Sequence, residues 1–501
     1  MVTVVPDGPV DVAAAGPVGV DAEELARCLA VLEQVAELPD SHPDSVAVQR
    51  AVAGIFKAHK QRRRRASRDR VQAADKAVIA ATATGSDSRI DDETAGIALV
   101  SSVAGAAAGT LLRARGCYIC KQRYTVVDAF YHQLCPTCAA FNRGKRDQRT
   151  DLTGRRALLT GGRAKIGMYI ALRLLRDGAD TTITTRFPRD AVRRFSAMPD
   201  SADWLHRLSV VGIDLRDPGA VASLADDIAA AGPLDIIINN AAQTVRRAPG
   251  CYSALVDAEN EALPEGSTVA ITEYGREQAE HPALLGSLDP AALGAGTQVA
   301  GTTWSAQEVA DRALVAGSAT AMAIRAGTAI DAGGLTPDPA ATNSWVDAVD
   351  DVDPLELLEV QLCNSVAPFI LVSRLRKALA ASPHRRTYVV NVSAMEGQFG
   401  GRRYKGAGHP HTNMAKAALN MLTRTSATEM FDDGILMTAV DTGWITDERP
   451  QPTKLRLADE GFRAPLDLVD GAARVYDPIV RGEAGEDLYG CFLKDYSPCP
   501  W

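Results

Sequence analysis

The sequence predicts an α/β protein built on a doubly wound parallel sheet, preceded by a helical region and a small metal-binding module. Three observations carry this. The run Arg156-Ala157-Leu158-Leu159 passes directly into a glycine turn at 160–167, and the turn into 168–175, where apolar residues recur at helical spacing. Apolar runs at 181–184, 208–213, 236–238, 388–392 and 436–440 then alternate with helical patterns, as in a chain that lays down parallel strands with helical crossovers. Ahead of them stand two Cys-x2-Cys pairs.

Residues 1–20 are rich in Pro, Gly, Ala and Val and read as a loose lead-in. They carry neither a basic head nor a sustained apolar core, so no signal peptide is expected and a cytoplasmic location is. A helix is expected from Asp21, with Leu25, Leu29, Leu32, Val35 and Leu38 on one face. A second is expected over 44–84 and contains Lys57, Lys60, Arg62, Arg63, Arg64, Arg65, Arg68 and Arg70. Consecutive arginines point all round a helix, which suits a solvated rod. A basic helix beside a metal module is also compatible with nucleic acid, but a net charge of −8 and the lack of a base-reading motif argue against it. An Ala-rich segment at 91–115 completes a helical region spanning 1–115; the module and its linker take 116–150, and the sheet domain 151–501. No run of about 18 apolar residues is found, so no membrane span is expected.

Residues 243–352 are rich in Ala, Gly, Thr and Asp and far exceed an ordinary strand–helix connection. They read as an inserted subdomain with a helix at 306–323. A lid, an oligomer contact and a packed surface elaboration all remain open.

Nine cysteines in a chain of 501 residues do not form a disulfide framework, but four have a telling spacing. Cys117-x2-Cys120 and Cys135-x2-Cys138 are separated by fourteen residues, and two such knuckles bring four thiolates to the corners of a tetrahedron suited to zinc. Tyr124-Thr125-Val126-Val127 is expected to form a strand between them. Four thiolates leave no position for a catalytic water, so the ion is structural and stabilises a module too small for its own core. His132, between the knuckles, reads as an ordinary polar residue.

A buried strand, a glycine turn and a helix start make a place for a pyrophosphate: the glycines admit close backbone approach, and the free N–H groups of the helix start face the anion. From Leu152 onward the chain resembles the short-chain dehydrogenase/reductase family. Thr160-Gly161-x3-Lys165-Ile166-Gly167 is similar to the family's TGxxxGxG turn, and Asp214-Leu215 stands where the family contacts adenine. Asn239-Asn240-Ala241-Ala242 resembles the NNAG signature, and Asn364 the mid-helix asparagine. Ser393 matches the catalytic serine and Lys416 the lysine of YxxxK, while Thr442-Gly443-Trp444-Ile445-Thr446 resembles the loop beside the nicotinamide. The resemblance implies a Rossmann-like fold, a dinucleotide cofactor contacted by Thr160, Gly161, Ile166, Gly167, Asn240, Ala241, Lys416, Gly443, Ile445 and Thr446, a small-molecule carbonyl or alcohol substrate, and a dimer or tetramer.

Charge selects the cofactor. Arg186 closes the second strand where an acidic residue would bind a ribose 2′-hydroxyl; a guanidinium suits a 2′-phosphate, and Arg163 and Lys165 add positive charge, so NADP(H) is expected over NAD(H). Two departures from the family matter. Lys165 replaces the middle glycine of the turn, so its side chain must point away from the pyrophosphate or clasp it. Thr412 stands where the family has its catalytic tyrosine, and a threonine hydroxyl is far too weak an acid to replace it. His411 and Tyr404 are the candidate substitutes, with His409 close by. The expected function is an NADP(H)-dependent oxidoreductase with a non-standard proton donor. The alternative is an NADP(H)-binding sensor or scaffold with little or no turnover.

Overall fold

The computed structural model describes residues 19–86, 89, 101–263, 265–275, 329–399 and 405–501. The chain divides into two compact units between Ala73 and Ala74. In the first, helix α1 (Ala22–Ala36) begins where the Asp21 carboxylate accepts from the N–H groups of Glu23 and Glu24, at 2.9 and 3.1 Å. Its apolar residues Leu25, Leu29 and Leu32 are exposed. Helix α2 (Pro43–Ala80) crosses the unit boundary, and Arg62, Arg63, Arg64 and Arg65 are all exposed on it.

The second unit opens with a correction to the expected helical region. Residues 107–116 form strand β1 (Ala107–Gly116), antiparallel to β2 (Arg123–Asp128). The Ala-rich composition favours a helix locally, but the pairing buries Leu111 with Tyr124 and Val127, and tertiary packing overrides propensity. The Asp75 carboxylate fixes β1 by accepting from the N–H of Leu112 at 2.7 Å. The hairpin feeds Cys117 at the end of β1, and Cys135 caps helix α3 (Pro136–Arg146).

Among the described residues the main sheet has nine strands, in the order β11-β10-β9-β8-β6-β3-β4-β5-β7, with β7 at Ala270–Glu273. Strands β3 (Arg156–Thr160), β4 (Asp180–Thr185), β5 (Leu208–Gly212), β6 (Ile236–Asn239), β8 (Thr387–Ser393), β9 (Ile435–Asp441) and β10 (Phe492–Lys494) are parallel, and β11 (Ser497–Cys499) turns back on β10. Helix α4 (Lys165–Arg176) and a late helix at Leu468–Glu483 cover one face through Ile170, Leu174, Val475 and Ile479. The other face is covered by α6 (Pro218–Ala230) and by two later helices, at Ala367–Ala380 and Pro410–Asp432, through Leu224, Leu371, Leu375 and Met430. Because β4 and β5 lie to one side of β3 and β6 to the other, the strand order reverses there and opens a crevice at the carboxyl edge.

The described parts of the long insertion pack on this body. Helix α5 (Pro188–Ser196) meets α7 (Ser253–Asn260), and Phe187, Leu255, Val256 and Ile330 share one cluster. Strand β7 (Ala270–Glu273) adds to the sheet beside β5. The helix expected at 306–323 lies outside the described residues. After the insertion, α8 (Pro354–Gln361), a wider π-turn (Leu362–Val366) and α9 (Ala367–Ala380) run on as one helix. That segment, Pro354–Ala380, is by length and composition apolar enough to cross a membrane; here α9 lies against α6 and the sheet. Helix α10 (Pro410–Asp432), the short α11 (Gln451–Asp459) and α12 (Leu468–Glu483) complete the unit.

Candidate active site

A cleft of about 840 Å³ lies along the carboxyl edge of the sheet and gathers most of the residues singled out in the sequence. Thr160 ends β3 and organises its floor: its hydroxyl accepts from the N–H of Asn240 and of Ala241, each at 3.0 Å. The Asn240 amide returns bonds to the carbonyls of Thr160 and Gly161 at 3.0 and 3.1 Å. Gly161 has φ +67°, and a Cβ there would lie 2.9 Å from Ala241 Cα; a Cβ on Gly167 would lie 2.0 Å from the Gly161 carbonyl oxygen. The turn therefore packs too tightly for side chains. Ala164, at the N-cap of α4, offers no side-chain acceptor, so its side chain does not occupy the N–H groups of the helix start that would face an anion.

Lys165 takes the left-handed conformation, φ +53°, that its glycine-like position demands. Its ammonium lies 3.8 Å from Asp331, which also accepts from Arg247 at 2.9 Å and from the N–H groups of Gly333 and Leu335. Burial would raise the Asp331 carboxyl, but Arg247 and Lys165 hold it well below the usual carboxylate range. Arg163 lines the cleft yet bonds Asp190 at 2.5 Å, and Asp190 also takes Arg194. Much of the positive charge that the sequence places here is thus matched by carboxylates.

Arg186 lies at the mouth, its guanidinium 5.9 Å from the Phe187 ring and 5.6 Å from that of Tyr252. Asp214 is gripped by Arg216 through contacts of 2.6 to 3.1 Å. Burial works to raise the Asp214 carboxyl, and Arg216 and then Arg186 keep it below its ordinary value. Leu215 and Ala241 complete the walls here.

At the other end, Ser393 closes β8 and donates to Asn420 Oδ1 at 2.6 Å. The Lys416 ammonium donates to the Val392 carbonyl at 2.8 Å, and burial pushes its pKa down from 10.5 to about 8. Asn364 sits on the π-turn, where its amide both accepts from and donates to the Gln243 backbone, at 2.7 and 2.8 Å, and so braces the chain leaving β6. Gly443, Ile445 and Thr446 line the cleft, with Ile445 anchored against Leu466 and Leu468.

The expected substitutes for the tyrosine fare differently. His411 and Thr412 are buried in α10; among the described residues neither ring nitrogen of His411 nor the Thr412 hydroxyl has a hydrogen-bond partner, and neither residue lines the cleft. Burial lowers the His411 pKa. Tyr404 lies outside the described residues. His409 stacks on Trp345 at 4.0 Å, and Trp345 lines the cleft. Three contributors escaped sequence reasoning. Asn420 was visible four residues after Lys416, on the same helical face. Asp331 and Tyr118 gave no local sign.

The four cysteine sulfurs lie within 4.8 Å of one another, with Cys120 and Cys135 at 3.7 Å. Zinc–sulfur bonds of about 2.3 Å in a tetrahedron need sulfurs about 3.8 Å apart, so the set fits zinc. The Cys135 N–H donates to Cys117 Sγ at 3.3 Å, as it would to a thiolate. His132 instead pairs with the Thr84 hydroxyl at 2.8 Å.

Residues 155–260 match the family model described as short chain dehydrogenase. "Uncharacterized protein R665" of Acanthamoeba polyphaga mimivirus is 28% identical over 377 residues, 73% of this chain and 71% of the relative. A Streptomyces antibioticus protein named "Probable oxidoreductase" is 40% identical over 91 residues, which span 18% of this chain and 30% of that protein. Among solved structures, NADPH-bound carbonyl reductase from chicken fatty liver is 16% identical with a TM-score of 0.41, covering 70% of this chain and 100% of its own.

Proposed function

We propose, for a chain whose residues 155–260 match short chain dehydrogenases, an NADP(H)-dependent oxidoreductase that interconverts a carbonyl and an alcohol. The observation that carries this is the convergence on one cleft of the glycine turn, Ser393, Lys416 and the loop at 442–446. The uncapped start of α4 and the tightly packed glycines fit a pyrophosphate, and Arg186 fits a 2′-phosphate. The dinucleotide, when bound, supplies or accepts the hydride at its nicotinamide.

The protein's own part is positioning and proton transfer. With Thr412 off the cleft wall, the buried Lys416 is, among the described residues, the cleft group whose pKa, about 8, lies near the operating range. In carbonyl reduction its ammonium gives a proton to the substrate oxygen and is reprotonated from solvent. Ser393 binds the same oxygen once its hydroxyl proton turns from Asn420 Oδ1 to the substrate. Asn364 keeps the β6 exit in place. One zinc per chain, held by Cys117, Cys120, Cys135 and Cys138, would fix the module.

A second reading, a dinucleotide sensor with little turnover, draws on the buried Thr412 and on the commitment of Ser393 to Asn420. Calorimetric titration with NADPH, followed by a carbonyl panel, separates the two. Binding with NADPH oxidation that Lys416→Ala abolishes supports the enzyme; binding without turnover supports the sensor. No heat with NADPH or NADP+ would sink both.

A further inference from the structure

We propose that Tyr118 makes the four-cysteine module a wall of the dinucleotide cleft, so that metal and dinucleotide each strengthen the binding of the other. The inference rests on the dinucleotide reading above and extends it to a residue between two thiolates. Tyr118 lies in the knuckle Cys117-Tyr118-Ile119-Cys120, whose backbone is set by the Cys117 N–H to the Gln122 carbonyl and the Tyr118 N–H to the Gln133 carbonyl, both 2.8 Å. From there its ring leaves the module and lines the cleft. Its hydroxyl accepts from the Trp444 N–H at 2.9 Å and would stand 3.7 Å from a Cβ on Gly443. Both residues belong to the cleft loop at 442–446.

The contact is backed by a rigid seat. Leu134 and Tyr131 of the module share one apolar cluster with Ile166 of the glycine turn and Ile445 of the same loop. The Tyr131 hydroxyl donates to Asp470 at 2.5 Å, and Arg146 pairs with Asp467, tying the module to the first turn of α12. Both segments that face the dinucleotide thus rest on residues that the knuckles hold. Without an ion the knuckle is held by its backbone bonds and packing alone, and the phenol's aim at Trp444 is looser. A ligand that prefers the ordered loop then prefers the metal-loaded protein, and linkage makes the preference mutual. Tyr118 acts through the loop and is a positioning residue.

The test uses full-length, zinc-loaded protein. NADPH is titrated into wild type and Tyr118→Phe, and zinc release to a chromophoric chelator is timed with and without saturating NADPH. Tyr118→Phe should keep its zinc yet bind NADPH several-fold more weakly, with the about tenfold that one lost hydrogen bond carries as the upper bound. NADPH should slow zinc release from wild type several-fold and do so less in Tyr118→Phe. Equal NADPH affinity in the two proteins, with a release rate indifferent to NADPH, overturns the coupling while leaving the cofactor reading intact. Protein purified without metal also overturns it. Loaded wild type that ignores NADPH removes the cofactor reading itself.

Discussion

Replacing Lys416 by Met should stabilise the protein, by an amount that depends on pH. An ammonium in the unfolded chain titrates near 10.5, and burial brings the folded value down to about 8. Between those values the unfolded chain binds more protons than the folded one, so wild-type stability rises with pH across that window. Below about 8 the charged side chain is buried in full and its cost is constant. The gap between 10.5 and about 8, at ~1.4 kcal/mol per pH unit, makes that cost about 3.5 kcal/mol. Methionine has similar length and no charge, so it removes the cost; it also loses the 2.8 Å bond to the Val392 carbonyl, worth about 1 kcal/mol at any pH. The quantity to measure is therefore the change in the variant's advantage between two pH values. Urea unfolding of both proteins at pH 7 and pH 10 should show that advantage shrinking by about 2 to 3 kcal/mol at the higher pH. An advantage of the same size at both values would refute the burial argument, and with it the low pKa on which Lys416 as proton donor depends.

The same pKa predicts the direction of the pH–rate profile: carbonyl reduction should fall as pH rises through about 8, and alcohol oxidation should rise there, as read from initial rates of NADPH oxidation and NADP+ reduction. Arg186→Ala should weaken NADPH binding about tenfold or more while moving NADH little, because a guanidinium–phosphate contact is lost and a ribose contact is not; equal losses for both in calorimetry would count against a 2′-phosphate site. At Lys165, φ +53°, glycine should be more stable than alanine by about 1 kcal/mol in thermal unfolding, since both lose the Asp331 pair and only alanine keeps a Cβ in the left-handed region.

What the sequence disclosed depends on how far apart the interacting residues lie. The strand, glycine turn and helix at 156–176 were legible because periodicity and turn chemistry are local, and the cysteine set because knuckle spacing carries its own geometry. Strand β1 was not, because its Ala-rich run takes its conformation from β2. The position of Lys416 was legible from the family pattern, but its low pKa is a consequence of burial that no spacing encodes. Lys165 shows the limit most sharply. A glycine would adopt φ +53° without strain; lysine pays about 1 kcal/mol or more for it, and such a residue persists only when its surroundings hold it. The partner is Asp331, at the far end of the insertion, whose carboxylate is itself fixed by Arg247 and two backbone N–H groups. The departure in the turn and the lengthened connection, which the sequence presents as separate oddities, are therefore coupled: the insertion returns to the cleft with the counter-charge for the lysine. Restoring glycine at 165 should then leave Asp331 with Arg247 as its ion-pair partner among the described residues, so Arg247→Ala should cost more stability in the Lys165→Gly background than alone. Double-mutant unfolding checks this, and strict additivity would mean the two features merely coexist.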